Sequence, residues 1–183
     1  DGGGPVYVPP PPYVFDGLHQ LGPEALAGVG WGRLDADGLV AALAAREIKR
    51  EYRALVVGKL NVGGTVDQPI GRHPTQRTRM AVNPMGKRAV THYRVLEKFR
   101  AHTLLRVNLE TGRTHQIRVH AAFIGCPVIG DRIYGFRKQR VKLKRNFLHA
   151  ANLSFDHPET GERLSFESPL PVALTQIMEK LRH

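Results

Sequence analysis

The chain has 183 residues, 42% of them hydrophobic, enough for a domain with a substantial core. Its 27 Lys and Arg against 16 Asp and Glu give a formal net charge of +11, unevenly placed: residues 1–30 hold Asp1, Asp16 and Glu24 and no Lys or Arg, so the remainder carries +14, a basic body suited to a polyanion partner. The lone cysteine, Cys126, excludes a disulfide framework and fits a reducing, cytoplasmic setting, and no apolar run has the length of a membrane span or the flanks of a secretion signal.

In chain order, residues 1–16 read as an extended lead. Gly2-Gly3-Gly4 and the run Pro9 to Pro12 favour polyproline II and can build neither a helix nor an inner strand. Leu39, Val40, Leu43 and Ile48 among alanines predict a helix over 39–50. Tyr52 to Leu60 is apolar and β-prone, and Gly63-Gly64 marks a turn. Residues 68–88, punctuated by Pro69, Gly71, Pro74, Pro84 and Gly86, read as a long basic excursion with short extended pieces. Val90 to Phe99 and His102 to Leu109 predict a hairpin, with Thr103, Leu105, Val107 and Leu109 on one face. A helix over 114–124 follows. Then come a basic stretch, Arg137 to Arg145, two strands over 146–155 and 164–167, and a closing helix from Val172 with Leu174, Ile177, Met178 and Leu181 on one face. There are no internal repeats. Strands and helices do not alternate strictly, so the expected class is α+β, with a mainly antiparallel mixed sheet flanked by helices. Cys126 is expected to be a small buried apolar residue.

The most informative segment is Leu109-Glu110-Thr111-Gly112-Arg113-Thr114-His115-Gln116-Ile117-Arg118-Val119-His120. A turn at Thr111-Gly112 joins a strand to an amphipathic helix whose first turns carry two arginines and a histidine. Backbone N–H groups and the positive end of the helix dipole point the same way there, which makes an anion-binding corner. His115 and Arg118 share one helix face, whereas Ile117, Ala121 and Ile124 make the apolar one.

The wording of this segment resembles the signature of the RluA-type pseudouridine synthases. Residues 46–60, with Tyr52 at their centre, resemble that family's tyrosine motif. Gly63 to Ile70, Arg72-His73-Pro74 and Met85-Gly86-Lys87 resemble its large-subunit ribosomal D branch. Asp131-Arg132-Ile133-Tyr134-Gly135 and Leu148-His149-Ala150 also fit, so the likeness spans about 46–182. It implies the pseudouridine synthase fold, with a catalytic domain over 17–183 and no S4 RNA-binding module. It also implies isomerisation of uridine in 23S ribosomal RNA, with a 23S stem-loop or the large subunit as partner. The expected state is a monomer, with no cofactor, metal or membrane. Arg33-Leu34-Asp35 resembles the catalytic aspartate motif, which would make Asp35 the nucleophile, with Asp37 as a rival carboxylate. By the same resemblance Tyr52 stacks on the target base, and Arg118 pairs with the nucleophile.

The stretch 17–45 departs from the family pattern. Gly32 stands where the family has histidine, the Thr-Ser-Gly turn is missing, and Asp35 and Tyr52 are only 17 positions apart. A catalytically disabled RNA-binding domain of the same fold is therefore a second reading, and a basic ribosome-associated structural protein a third. The implied reaction detaches a base at its N-glycosidic bond and rejoins it through carbon. It needs a carboxylate, a cation to keep that carboxylate ionised in a dry pocket, and a flat ring for the extruded base. Two basic stretches are candidate RNA contacts: Arg72, His73, Arg77, Arg79, Lys87 and Arg88 in the first, and Arg137, Lys138, Arg140, Lys142, Lys144 and Arg145 in the second. Arg113 and His115 are expected to organise the corner or touch phosphate. His92, His102, His120 and His149 form no metal-ligand spacing with one another or with Cys126, and are expected to be structural or RNA-facing.

Overall fold

The computed structural model of the chain describes residues 48–157 and 160–183. The proline-rich lead, Asp35, Asp37 and the body of the helix expected over 39–50 lie outside the described residues. The end of that expected helix is corrected, because Lys49 and Arg50 open a strand. β1 (Lys49–Val57) is laddered on both sides, with Glu51 opposite Asn108 on one neighbour and Asn152 on the other. Pairing of backbone groups on two flanks outweighs a local helical pattern.

After β1 come β2 (Gly64–Asp67), β3 (Ile70–Arg72), β4 (Met80–Val82), β5 (Val90–Lys98) and β6 (His102–Leu109). Then follow α1 (Gln116–Phe123), β7 (Leu148–Asp156), β8 (Arg163–Glu167) and α2 (Val172–Arg182). Six strands form one sheet in the order β2-β5-β6-β1-β7-β8, and β3 and β4 form a separate hairpin. Every strand pair among the described residues is antiparallel. The expected 90–109 hairpin and closing helix are present, the short extended pieces expected in 68–88 are β3 and β4, and the strands expected over 146–155 and 164–167 are β7 and β8.

Burial follows position in the sheet. Ala54, Leu55 and Val56 of β1 and Thr103, Leu104 and Leu105 of β6 are buried in succession, as central strands covered on both faces require. Edge strand β8 alternates instead: Leu164 and Phe166 pack on Ile48, Leu153 and Phe155, while Arg163, Ser165 and Glu167 face out. α2 presses Leu174 and Met178 into the main core, and its Arg182 makes a two-bond ion pair with Glu97 of β5, both at 2.7 Å. No helix among the described residues is long and apolar enough to cross a membrane.

α1 lies between two layers. Ile117 and Ala121 enter the main core, while Val119 packs with Ile70, Ala89, Met80 and Val82 beneath the β3–β4 hairpin. Gly86 is required here: a Cβ would sit 2.3 Å from the carbonyl carbon of Ile70, which exchanges two backbone hydrogen bonds with Lys87.

A buried polar chain fixes the helix against β5. Val90 N–H donates to Thr111 Oγ1 (3.0 Å), and Thr111 Oγ1–H to Gln116 Oε1 (2.7 Å). Gln116 Nε2 donates to Val90 O (2.9 Å) and Thr91 Oγ1 (3.0 Å). Thr91 Oγ1 in turn lies 2.8 Å from His120 Nδ1, and His120 Nε2 lies 2.9 Å from Gln68 O. One arrangement satisfies all of these groups: a neutral His120 accepting from Thr91 and donating to Gln68. Burial pushes the His120 pKa down against the smaller upward pulls of Gln68 and Asp67. Burial, then Arg140, does the same to His102.

A group with a depressed histidine pKa stays neutral in the native state while its unfolded counterpart takes up a proton below about pH 6.5. Stability is therefore full above that value and falls as pH drops below it, by up to about 1.4 kcal/mol per pH unit for each histidine. Denaturant midpoints should fall between pH 7.5 and 5.5. A His120 variant should show a shallower fall, and an invariant wild-type midpoint would contradict the neutral assignment.

Candidate active site

The corner between β6 and α1 is built by its own residues. The side chain of Gln116 turns back to accept from Arg113 N–H at 3.0 Å, so the helix begins at Gln116, two residues later than expected. His115 sits at φ 55°, ψ 22°, the sole non-glycine with positive φ among the described residues. Its ring meets Tyr134 edge-on at 5.6 Å, and its carbonyl accepts from Val119 N–H. Backbone strain held in place by surrounding contacts is a feature of functional corners.

Arg118, in the first turn of α1, is bound by Asp131. Arg118 Nε donates to Asp131 Oδ2 at 2.7 Å and Nη2 to Oδ1 at 2.8 Å; the Asp131 side chain is 0% exposed and that of Arg118 13%. Oδ1 also accepts from Ile133 N–H and Tyr134 N–H, each at 2.9 Å. Burial alone would raise the carboxyl's pKa. The Arg118 hydrogen bonds, those backbone donors and the Arg118 charge together hold it below the usual carboxylate range. A carboxylate so enclosed, with both oxygens occupied, is an anchor and is badly placed to be a nucleophile.

The segment carrying Asp131 hangs from β1. Val57 N–H donates to Pro127 O, Ile129 N–H to Leu55 O, and Val56 bridges Val128. The same strand carries Tyr52, buried in the main core at 7% exposure, opposite Val107 on β6 and Ala150 on β7. Gly130, at φ 77°, turns the chain toward Asp131; a Cβ there would meet Arg145 O at 2.1 Å. Gln139 clamps the turn, accepting from Gly130 N–H and donating to Asp131 O.

Tyr134 ties this pair to the basic hairpin. Met80 N–H donates to its hydroxyl at 3.0 Å, leaving the hydroxyl proton for His115 Nδ1 at 2.9 Å. The guanidinium carbons of Arg118 and Arg79 lie 5.0 and 5.5 Å from its ring centre. Arg79 also donates to Ile133 O and to Gln76 Oε1. The sequence contains Asp131 and Tyr134 in a recognisable motif, but without a role. Their separation by three residues was the available signal, since it lets one turn supply both the carboxylate and the backbone N–H groups that enclose it.

The remaining expected residues divide by engagement. Arg113 Nε donates to Arg88 O, Arg72 to Arg77 O, and His73 Nδ1 accepts from the Thr75 and Gln76 N–H groups, so these three organise the corner and the hairpin. Arg77 and Lys87 are exposed. In the second stretch Val141 and Leu143 pack on the main core, which turns Arg140, Lys142 and Lys144 outward; Arg137, Lys138 and Arg145 are exposed as well. None of these six makes an ion pair with a described residue. His92, His102, His120 and His149 are not gathered with other ligand types: among the described residues no group of three or more His, Cys, Asp or Glu could hold a metal ion. Cys126 is half-buried beside Gly58, and burial raises its thiol pKa.

Breaking the enclosed ion pair from one side strands a charge. Asp131→Leu should destabilise the fold by about 3–5 kcal/mol, whereas Arg118→Leu with Asp131→Leu together should cost less than the two single losses summed. Denaturant melts of the double-mutant cycle measure this, and additive losses would show that the two side chains do not act as a pair.

The sequence pattern of the family described as RNA pseudouridylate synthase matches residues 36–123. A Vibrio cholerae protein named ribosomal large subunit pseudouridine synthase D is 51% identical over 156 residues, covering 79% of this chain and 48% of its own length. The Pseudomonas aeruginosa protein of the same name is 53% identical, with 79% and 49% covered. The chain thus spans about half the length of the curated relatives it matches. Among solved structures, human RNA pseudouridylate synthase domain containing 1 superposes with a TM-score of 0.66 at 26% identity, covering 81% of this chain and 73% of that one. With this fold, and with Tyr52 and Arg118 inside the matched span, the chain is similar to RNA pseudouridylate synthases over residues 36–123.

Proposed function

We propose that the chain isomerises uridine to pseudouridine in 23S ribosomal RNA, acting as a cytoplasmic monomer on a stem-loop of the large subunit. The observation that carries this reading is the identity of about half of all aligned positions with relatives named for that activity. In the reaction the C1′–N1 bond breaks, the uracil turns over, and a C1′–C5 bond forms. C5 loses a proton and N1 gains one, so the balance requires no oxidant, water or cofactor. Asp35 is the nucleophile in this reading, and Tyr52 is the ring against which the base stacks. Asp131 takes the Nε–Nη2 edge of Arg118 and fixes the direction of its guanidinium. Arg118 thereby becomes the fixed cation that keeps Asp35 ionised. Arg77, Lys87 and the six cations of 137–145 supply phosphate contacts, which position RNA without reading its sequence.

One observation favours the second reading, a catalytically disabled RNA-binding domain: the family match begins at residue 36, immediately after Asp35. A single comparison separates the two. Asp35→Asn should abolish pseudouridine formation in 23S rRNA while leaving RNA affinity within a few-fold, because it removes chemistry and not phosphate contacts. Turnover retained in Asp35→Asn and lost in Asp37→Asn would move the role to Asp37. RNA binding by the wild type with no pseudouridine formed would establish the disabled reading.

A further inference from the structure

Three arginines stand in register across the centre of the sheet. Arg94 of β5 is directly opposite Arg106 of β6, and Arg106 is directly opposite Arg53 of β1. Directly paired residues share a sheet face, and Arg53 follows Tyr52 in its strand, so this row lies on the face turned away from Tyr52 and Val107. The row is roughly 10 Å long at the strand spacing of a β-sheet. It ends at His149, opposite Arg53, which is buried and bonded to Ser168 O.

Like charges in direct cross-strand register oppose folding. Among the described residues only Glu51 answers them, 2.5 Å from Arg53 Nη1 and 3.6 Å from Arg106 Nε. Arg94 is exposed and makes no ion pair with a described residue, and Arg106 Nε is enclosed without a hydrogen-bond partner among the described residues. The next row on the same face runs His92, Asn108, Glu51, Asn152 and Glu167; Asn108 and Asn152 can bond sugar and phosphate oxygens, and Glu51 is the carboxylate already held by Arg53. A line of forked guanidinium groups beside such groups fits a string of phosphates better than an isolated anion.

We infer that Arg94, Arg106 and Arg53 form an additional phosphate-contacting strip on the reverse face of the sheet, which takes the backbone of the same RNA. This rests on the RNA-substrate reading above. A row of repelling charges that serves a ligand carries a signature: its removal weakens binding without weakening the fold.

The test uses the full chain and in vitro transcribed 23S rRNA, with affinity measured across a salt series. In Arg94→Gln/Arg106→Gln the log–log salt slope should become shallower by roughly 1.4–1.8 for two lost contacts. The thermal midpoint should be unchanged or higher. Arg100→Gln/Lys180→Gln, which neutralises two exposed cations elsewhere, should leave the slope as it was. An unchanged slope in the Arg94/Arg106 variant, an equal flattening in the Arg100/Lys180 variant, or a lowered midpoint in the former would overturn the assignment. Wild-type protein that binds RNA through the strip but forms no pseudouridine would leave the strip standing and defeat the isomerase reading. Pseudouridine formation with an unchanged slope would defeat the strip alone, and absence of RNA binding by the wild type would defeat both.

Discussion

The arrangement of the site depends on one ion pair, Arg118 with Asp131. An arginine in the first turn of a short helix would ordinarily sample many rotamers. Here its guanidinium is held along one edge by a carboxylate that is itself enclosed by two backbone N–H groups. Removing two charges from water is costly, and geometry of this quality is needed to offset the cost. The outcome is a cation of fixed direction. Tyr134 extends the constraint outward: its ring lies against both Arg118 and Arg79, and its hydroxyl joins His115 to the backbone of β4. The helix start, the hairpin and the loop after α1 are thereby made parts of one assembly.

Two further features keep that assembly in place. The Gln116–Thr91–His120 chain satisfies every polar group it buries, so the helix cannot slide along β5 without stranding donors or acceptors. The Pro127–Ile129 segment bonds to β1, the strand that carries Tyr52, so the ring and the anchored arginine are referred to a single central strand. Precision in such a site comes from supporting contacts more than from the reacting groups.

Much of this was legible in the sequence because it is periodic or local. The 90–109 hairpin, α1, the β7–β8 pair and α2 follow from spacing of apolar residues; the expectation that His115 and Arg118 share a helix face is corrected, because His115 is the left-handed residue before the helix, although both side chains reach the Tyr134 ring. What could not be read is non-local. Lys49 and Arg50 look helical until β7 is present to pair with them. Asp131 is thirteen positions from Arg118, and nothing in the intervening Gly125-Cys126-Pro127 turn announces that the chain returns to the helix. The arginine row is likewise invisible in the linear sequence, because Arg53, Arg94 and Arg106 meet only through strand register.

The central claim is that Asp131 acts through Arg118 as a positioning residue. Single-turnover pseudouridine formation in 23S rRNA by Asp131→Asn, at saturating RNA, tests it most directly. The account predicts a rate lower by roughly 100-fold with RNA affinity within a few-fold of wild type, because the cation loses its orientation and the phosphate contacts remain. A wild-type rate in a folded Asp131→Asn protein would contradict it.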